Sequence, residues 1–439
     1  MNRRTRPARA DLIAAALAAG LFAVAAITGG VLYLLGRPVH ASTAPLFAHW
    51  LPHIGPGTPF ALLTAVLVWW RGPALAARLS WRPLLALSYL TAVAWTSSLA
   101  LIDGWQRGVA GRLTTEHEYL HEVPGITDIP ATLAGFTTRI LDFQPDSWTT
   151  HVSAHPPGAL LVFVWLDRAG LGGGAWAGVL CVLVAGLVAV AVPHTVRVLG
   201  TDEAARAVVP FTVLFPGAVW AGVSADGLFA GVTATGVALL AHAVARGRAT
   251  AAVAGGVLLA FGCYLSYGLV LIGVVALAVV VLAGAHRRTA GWALAGAAPI
   301  VVAFTAAGFS WLTGYHLIVE RYYQGVAADR SYGYWVWANL ALLAVAAGPA
   351  AAVILRRAVT AARPRARDAV WVLPLAATTA IIAADLSGYS KAEVERIWLP
   401  FTVWLMSGAA LIPPADRRIW LAVQAAVALA VNHLVLTVW

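Results

Sequence analysis

Seven carboxylates crowd into the stretch between positions 103 and 146: Asp103 in "LIDGW", Glu116, Glu118 and Glu122 in "TTEHEYLHEVPG", then Asp128, Asp142 and Asp146. A carboxylate held beside an acceptor hydroxyl can act as a general base, and several together can hold a divalent cation such as magnesium or manganese. Each acid taken singly is equally at home in a solvated loop. His117 to His121 spell "HEYLH", matching the pattern in which two histidines one helical turn apart bind zinc and the glutamate activates water. Pro124 and Gly125 follow at once and leave little room for the continuous helix that geometry needs.

Other groups are set at the mouths of apolar segments. "TTHVSAHPPGALLVFVWL" places His155 before Pro156 and Pro157, and prolines fit the first turn of a helix, where backbone donors are unpaired anyway. "SADGLF" puts Asp226 at the start of a span. "KAEVERIWLPF" carries Lys391, the only lysine, with Arg396 at the entrance of another. An arginine there can bind a phosphate through two parallel hydrogen bonds, anchor its helix at the interface, or pair with Glu393.

The elements that must position these groups are membrane helices. The chain has 439 residues, 60% hydrophobic and 11% charged, a balance that excludes an ordinary soluble domain. Cys181 and Cys263 both sit in apolar runs and offer neither a disulfide framework nor a thiolate metal site. The net charge of +10 comes from arginines scattered between hydrophobic segments, which orient a membrane protein and do not form a nucleic-acid surface. The first apolar run, 12–35, is too long for a secretion signal and is expected to stay as a span.

Spans are predicted at 12–35, 57–70, 83–102, 175–196, 206–222, 227–245, 250–265, 269–285, 290–312, 334–355, 370–386, 397–412 and 419–437, thirteen in all, within one membrane-embedded domain over 1–439 that has no soluble C-terminal domain. With the N-terminus inside, arginines at 3, 4, 6, 9, 71, 78, 82, 197, 206, 246, 248, 287, 288, 356, 357, 363, 365, 367, 417 and 418 fall on the inner side. Nine of the 29 basic residues remain outside. The fold class is therefore an all-α polytopic integral membrane protein. Segment 103–155 lies on its outer face, and the helix from Pro157 dips into the interface and returns at Asp167 and Arg168. Within the outer segment, Ile129, Leu133, Phe136 and Ile140 share one helical face, with Thr127 or Asp128 as cap.

In this order the motifs resemble the GT-C class of membrane glycosyltransferases, nearest to the branch of protein O-mannosyltransferases and the lipid A aminoarabinose transferase. That branch has an outer loop with an acidic residue, a juxtamembrane helix, and a His/Lys-Pro-Pro segment entering the membrane. Here these are Asp128, "IPATLAGFTTRIL" and His155-Pro156-Pro157. "HTVRVLGTDEAARA", "FPGAVWAGVSADGLF" and "AVAGGVLLAFGCYLSYGLVL" continue the likeness, which covers about 103–285. It departs in lacking the usual Asp-Glu pair and in two extra spans within 1–82. The resemblance implies an inverting transfer of sugar from a polyprenyl-phosphate donor to a glycan, lipid or protein acceptor on the outer face of a bacterial cytoplasmic membrane. The implied base is Asp128, with Glu118 and Asp103 as alternatives. His155, Asp226, Arg396, Lys391 and Tyr119 are the implied binding residues. Two other classes stay open, a membrane zinc peptidase on "HEYLH" and a transporter, although a transporter would place ionisable groups at mid-membrane.

Overall fold

The helix Ala225–Arg246 forms the centre of the bundle in the computed structural model, which describes residues 7–284, 287–363 and 368–437. Its flanks carry alanine and glycine, so neighbours approach backbone to backbone. At Gly231 a Cβ would stand 1.9 Å from the carbonyl oxygen of Val184 in the helix pair Gly174–Leu199, so no larger residue fits there. At the periphery, Arg9–Leu34 leaves Leu17, Ile27 and Leu34 exposed, the surface of a helix meeting lipid.

Among the described residues, seven helices are long and apolar enough to cross a membrane: Arg9–Leu34, Thr58–Arg78, Trp81–Asp103, Gly174–Leu199, Ala225–Arg246, Arg287–Ala306 and Ala369–Leu386. The count of thirteen is not reproduced, for identifiable reasons. Segment 206–222 breaks at Pro216 and again at Val223, whose φ is 58°. Segment 334–355 becomes Tyr332–Ala346 and Pro349–Ala361, bent by 106° at Gly348. Ala249–Leu265, Tyr267–Leu282 and Leu399–Leu411 are short apolar helices. Arg417–Leu434 carries Gln424, Asn432 and His433 along its length. The all-helical class holds, and the only sheet among the described residues is a two-stranded antiparallel pair, Ala48–Trp50 with Val435–Thr437, in register Ala48↔Thr437.

The bundle has two unlike ends. At one, Arg356 and Arg357 both pair with Asp11 at 2.5 Å, Arg197 pairs with Asp202 at 2.6 Å, and Arg206 donates to the carbonyls of Ala76 and Leu79. Arg3, Arg4, Arg6, Arg365 and Arg367 lie outside the described residues. The other end gathers segments 35–57, 101–156, 325–332 and 387–398. The helix Pro157–Arg168 belongs to that end at both termini: His155 precedes it there, and Arg168 donates to the carbonyls of Ile126 and Thr127 at 3.2 and 2.9 Å. Its twelve residues rise about 18 Å, too little to cross.

Candidate functional site

Glu118 sits in extended backbone just before a single helical turn, Tyr119–Glu122, which Pro124 and Gly125 end. A backbone hydrogen bond from His151 to the His117 carbonyl, 3.0 Å, ties this turn to the short helix Thr150–Ala154. The tie places the Glu118 carboxylate 3.2 Å from Nδ1 of His151, with both side chains nearly covered. Nε2 of His151 lies 3.2 Å from Nη2 of Arg396, where it can only accept, so Nδ1 carries the hydrogen that faces Glu118. Burial pushes the Glu118 carboxyl up, but the hydrogen bond from His151 and the nearby Arg396 guanidinium outweigh it and hold the group below its ordinary value. Glu118 is thus an ionised carboxylate in a dry setting.

Arg396 is the hub of the cluster. Nη1 donates to Asp226 at 2.8 Å and Nη2 to Glu393 at 2.8 Å, while Glu393 also accepts from Arg330 at 2.9 Å. Burial alone would lower the Arg396 guanidinium, yet Asp226 and Glu393 raise it overall. Asp226 is delivered by Ser224, whose hydroxyl caps the central helix by accepting from Gly227 N at 3.1 Å. Val223, Ala392 and Glu393 all have φ between 58° and 69°, a region costing of order 1–3 kcal/mol for residues with a Cβ. Asn339 holds the strained Ala392–Glu393 pair in place, accepting from Ala392 N at 3.3 Å and donating to Ser390 O at 2.8 Å.

A narrow, partly open cleft, with a cavity volume of only ≈ 10 Å³, is lined by Arg112, Glu118, Tyr119, His151, Ser224, Asp226 and Arg396, among others. Arg112 differs from the other guanidiniums there. Its Nη1 and Nη2 donate to the carbonyl and hydroxyl of Thr437 at 2.8 and 2.7 Å, and among the described residues no carboxylate forms an ion pair with it. Burial lowers it to about 10 against the opposing pull of Asp103 and Glu118, so it remains a cation at neutral pH. An ionised carboxylate and a cation held by Thr437 therefore line one cavity.

The remaining expected residues fall elsewhere. Asp128, the first choice as base, is exposed and caps Ile129–Gly135, accepting from Ala131 N at 3.0 Å. The cap was anticipated; its oxygen serves the helix. Asp103 lies 2.7 Å from Nε2 of His53 and reaches the cleft only through its field on Arg112. Lys391 donates to the Ala327 carbonyl at 2.5 Å beneath Tyr322 and Tyr323, away from the cleft lining. His155 stands behind Tyr119, with Nδ1 2.8 Å from both the Tyr119 hydroxyl and the His151 carbonyl. Burial lowers it to about 4, so it is neutral. Glu122 accepts from Thr149 N at 2.9 Å and Asp142 pairs with Arg321, both bracing the loop.

The zinc arrangement does not form. His117 and His121 do not share a helix, because the turn begins at Tyr119, and Glu118 points to His151. No group of three or more His, Cys, Asp or Glu among the described residues is placed to hold a metal ion. Each cleft carboxylate is already matched by a histidine or a guanidinium, so a divalent cation does not fit this lining. Arg112 and His151 were not foreseen. The available signal for Arg112 was a basic residue on the side that the charge bias otherwise leaves poor in arginine.

No protein-family profile and no curated protein sequence matches the chain. Two solved structures overlap it in outline. One is ArnT from Cupriavidus metallidurans in the apo state, 18% identical, covering 74% of this chain and 59% of that one, with a TM-score of 0.46. The other is the Archaeoglobus fulgidus oligosaccharyltransferase in complex with Zn and sulfate, 13% identical, covering 80% and 53%, with a TM-score of 0.45. The chain thus overlaps little more than half the length of either. Overlaps this slight leave the function to be argued from the residues of the cleft.

Proposed function

We propose that the chain is an inverting glycosyltransferase that moves a sugar from a polyprenyl-phosphate donor to an acceptor hydroxyl at the outer face of the cytoplasmic membrane. The observation that carries this is the pairing of Glu118 and Arg112 across one cleft at the loop-bearing end of the bundle. Glu118 takes the proton of the acceptor hydroxyl as its oxygen attacks the anomeric carbon. The bond from that carbon to the phosphate oxygen breaks, its electron pair leaves with the polyprenyl phosphate, and Arg112 faces the growing negative charge. A charge stabilised in a partly dehydrated site counts for more than one in water. Asp226, Glu393 and Arg396 hold one another and fix the walls, and Tyr119 backed by His155 forms the side toward the helix from Pro157. The arginine-rich end faces the cytoplasm by the positive-inside bias.

The test is incubation of purified protein with radiolabelled polyprenyl-phosphate sugars and a membrane extract as acceptor. Transfer of label with release of polyprenyl phosphate, abolished by Glu118→Gln, is the expected result. Label that stays on the donor with every sugar tried would sink the reading.

A further inference from the structure

A second, larger cavity backs onto the cleft. Its volume is ≈ 380 Å³, and its lining includes Leu120, His121, Phe163, Asp167, Gly172 and Gly173. Residues 118 to 121 form the partition: Glu118 and Tyr119 line the cleft, while Leu120 and His121 line the groove. Phe163 packs on Tyr119 with ring centroids 5.3 Å apart, so one aromatic pair separates the two spaces.

We propose that this groove is a saccharide subsite that holds a neutral, polyhydroxylated sugar unit of the acceptor, next to the unit whose hydroxyl enters the catalytic cleft; the proposal rests on the glycosyl-transfer reading above. The chemistry of the walls selects that occupant. Among the described residues no cation pairs with the Asp167 carboxylate, because neighbouring Arg168 donates instead to the carbonyls of Ile126 and Thr127. An unneutralised carboxylate repels a phosphate, so the anionic headgroup belongs on the Arg112 side. A prenyl chain laid over Asp167 and His121, which are both exposed, would displace their water and offer nothing for them to bond. Sugar hydroxyls satisfy both residues.

Val123, Pro124, Leu166 and Leu171 join Leu120 and Phe163 to make the rest of the lining largely apolar. Gly173 has φ of 89°, which favours glycine, and at Gly172 a Cβ would stand 2.3 Å from Oδ1 of Asp167, so a larger residue there would push the carboxylate aside. Leu120 and Phe163 offer an apolar floor for the C–H face of a pyranose ring. The size lies within the usual range for small-molecule sites, about 300–1,000 Å³.

The experiment is saturation-transfer NMR on the full chain in lipid nanodiscs, using the methyl glycosides of mannose, glucose, galactose and arabinose as probes. At least one glycoside should receive saturation. Asp167→Asn should weaken it ~10-fold, the scale of one hydrogen bond to a charged group, and Leu120→Trp should abolish it by filling the groove. Glu118→Gln and Arg112→Ala should leave glycoside binding intact, and added polyprenyl phosphate should not displace the glycoside. Absence of any glycoside signal in the wild type overturns the subsite. So does displacement by polyprenyl phosphate, which would give the groove to the prenyl chain, or an unchanged signal in folded Asp167→Asn. Glycoside binding that persists while polyprenyl phosphate fails to bind at all would keep the subsite and remove the donor assignment, so the two readings fail separately.

Discussion

Nη1 of Arg396 lies 2.8 Å from Oδ2 of Asp226, joining two nearly covered charges that are 170 residues apart in the chain. Through Glu393 and His151 the same guanidinium reaches the two loops that close the loop-bearing end. It is a brace for the cleft, with its donors turned toward carboxylates of the protein.

Loss of Arg396 should therefore register first as instability. Arg396→Ala leaves Asp226 and Glu393 buried without their shared cation, and breaking a buried pair from one side costs about 3–5 kcal/mol. Adding Asp226→Asn should recover part of that loss, a coupling visible in a double-mutant cycle of thermal unfolding. Normal stability with donor affinity gone would return Arg396 to the phosphate site.

Glu118→Gln should lower turnover by about 10²–10⁴-fold, the usual cost of removing a general base, with unfolding temperature little changed. Asp128→Asn keeps an oxygen able to cap its helix and should retain most activity. If Asp128→Asn is the dead variant and Glu118→Gln is not, the base assignment is reversed.

Arg112→Ala should weaken polyprenyl-phosphate binding by about 10–100-fold, on the scale of a charged hydrogen bond to an anion. Arg112→Lys keeps the charge without the planar fork and should fall between. Thr437→Val removes the 2.7 Å bond that orients the guanidinium and should give a smaller loss of the same kind. Equal donor affinity in all three variants would clear Arg112 of the role.

Glu395 makes a separate, pH-dependent prediction. It is 1% exposed, accepts from Phe47 N at 3.2 Å, and burial raises its carboxyl to about 7 from 4.5. Between those values the folded chain holds a proton that the unfolded chain has released, so this contribution is present below about pH 4.5 and fades as pH rises through 7. Glu395→Gln should be more stable than the parent at pH 8 by on the order of 1–3 kcal/mol, with the gap closing near pH 5. A gap independent of pH, read from unfolding temperatures across that range, would refute it.

Orientation is checked by a cysteine at Glu116, whose side chain is 81% exposed on the loop-bearing end. A membrane-impermeant thiol reagent should label Glu116→Cys in intact cells. Labelling only after the membrane is opened would invert the bundle.

What the sequence revealed was local. The Asp128 cap, the apolar face of Leu133, Phe136 and Ile140, the proline entry at Pro157 and the break near Ser266 depend on neighbours a few residues away, and all occur. The span count failed where a kink depends on tertiary packing, as at Gly348, where a Cβ would collide with Gln424 of a distant helix. The site was legible as a set of residue types, and Glu118 was among them. Its selection over six other acids required knowing that His151 and Arg396 converge on it. Arg112 was hidden for the same reason: its meaning depends on Thr437, 325 positions away.

The wide spacing of the charged cluster has a consequence for biogenesis. Glu118 and Asp226 leave the ribosome long before Arg396 exists to neutralise Asp226. At about 5–20 residues per second, the 170 intervening positions take roughly 10–30 s to synthesise. During that interval the central helix must enter the bilayer with an unmatched carboxylate at its loop-bearing end. Asp226 therefore has to rest at the water boundary, or be shielded by the insertion machinery, until the loop carrying Arg396 arrives and locks the bundle shut.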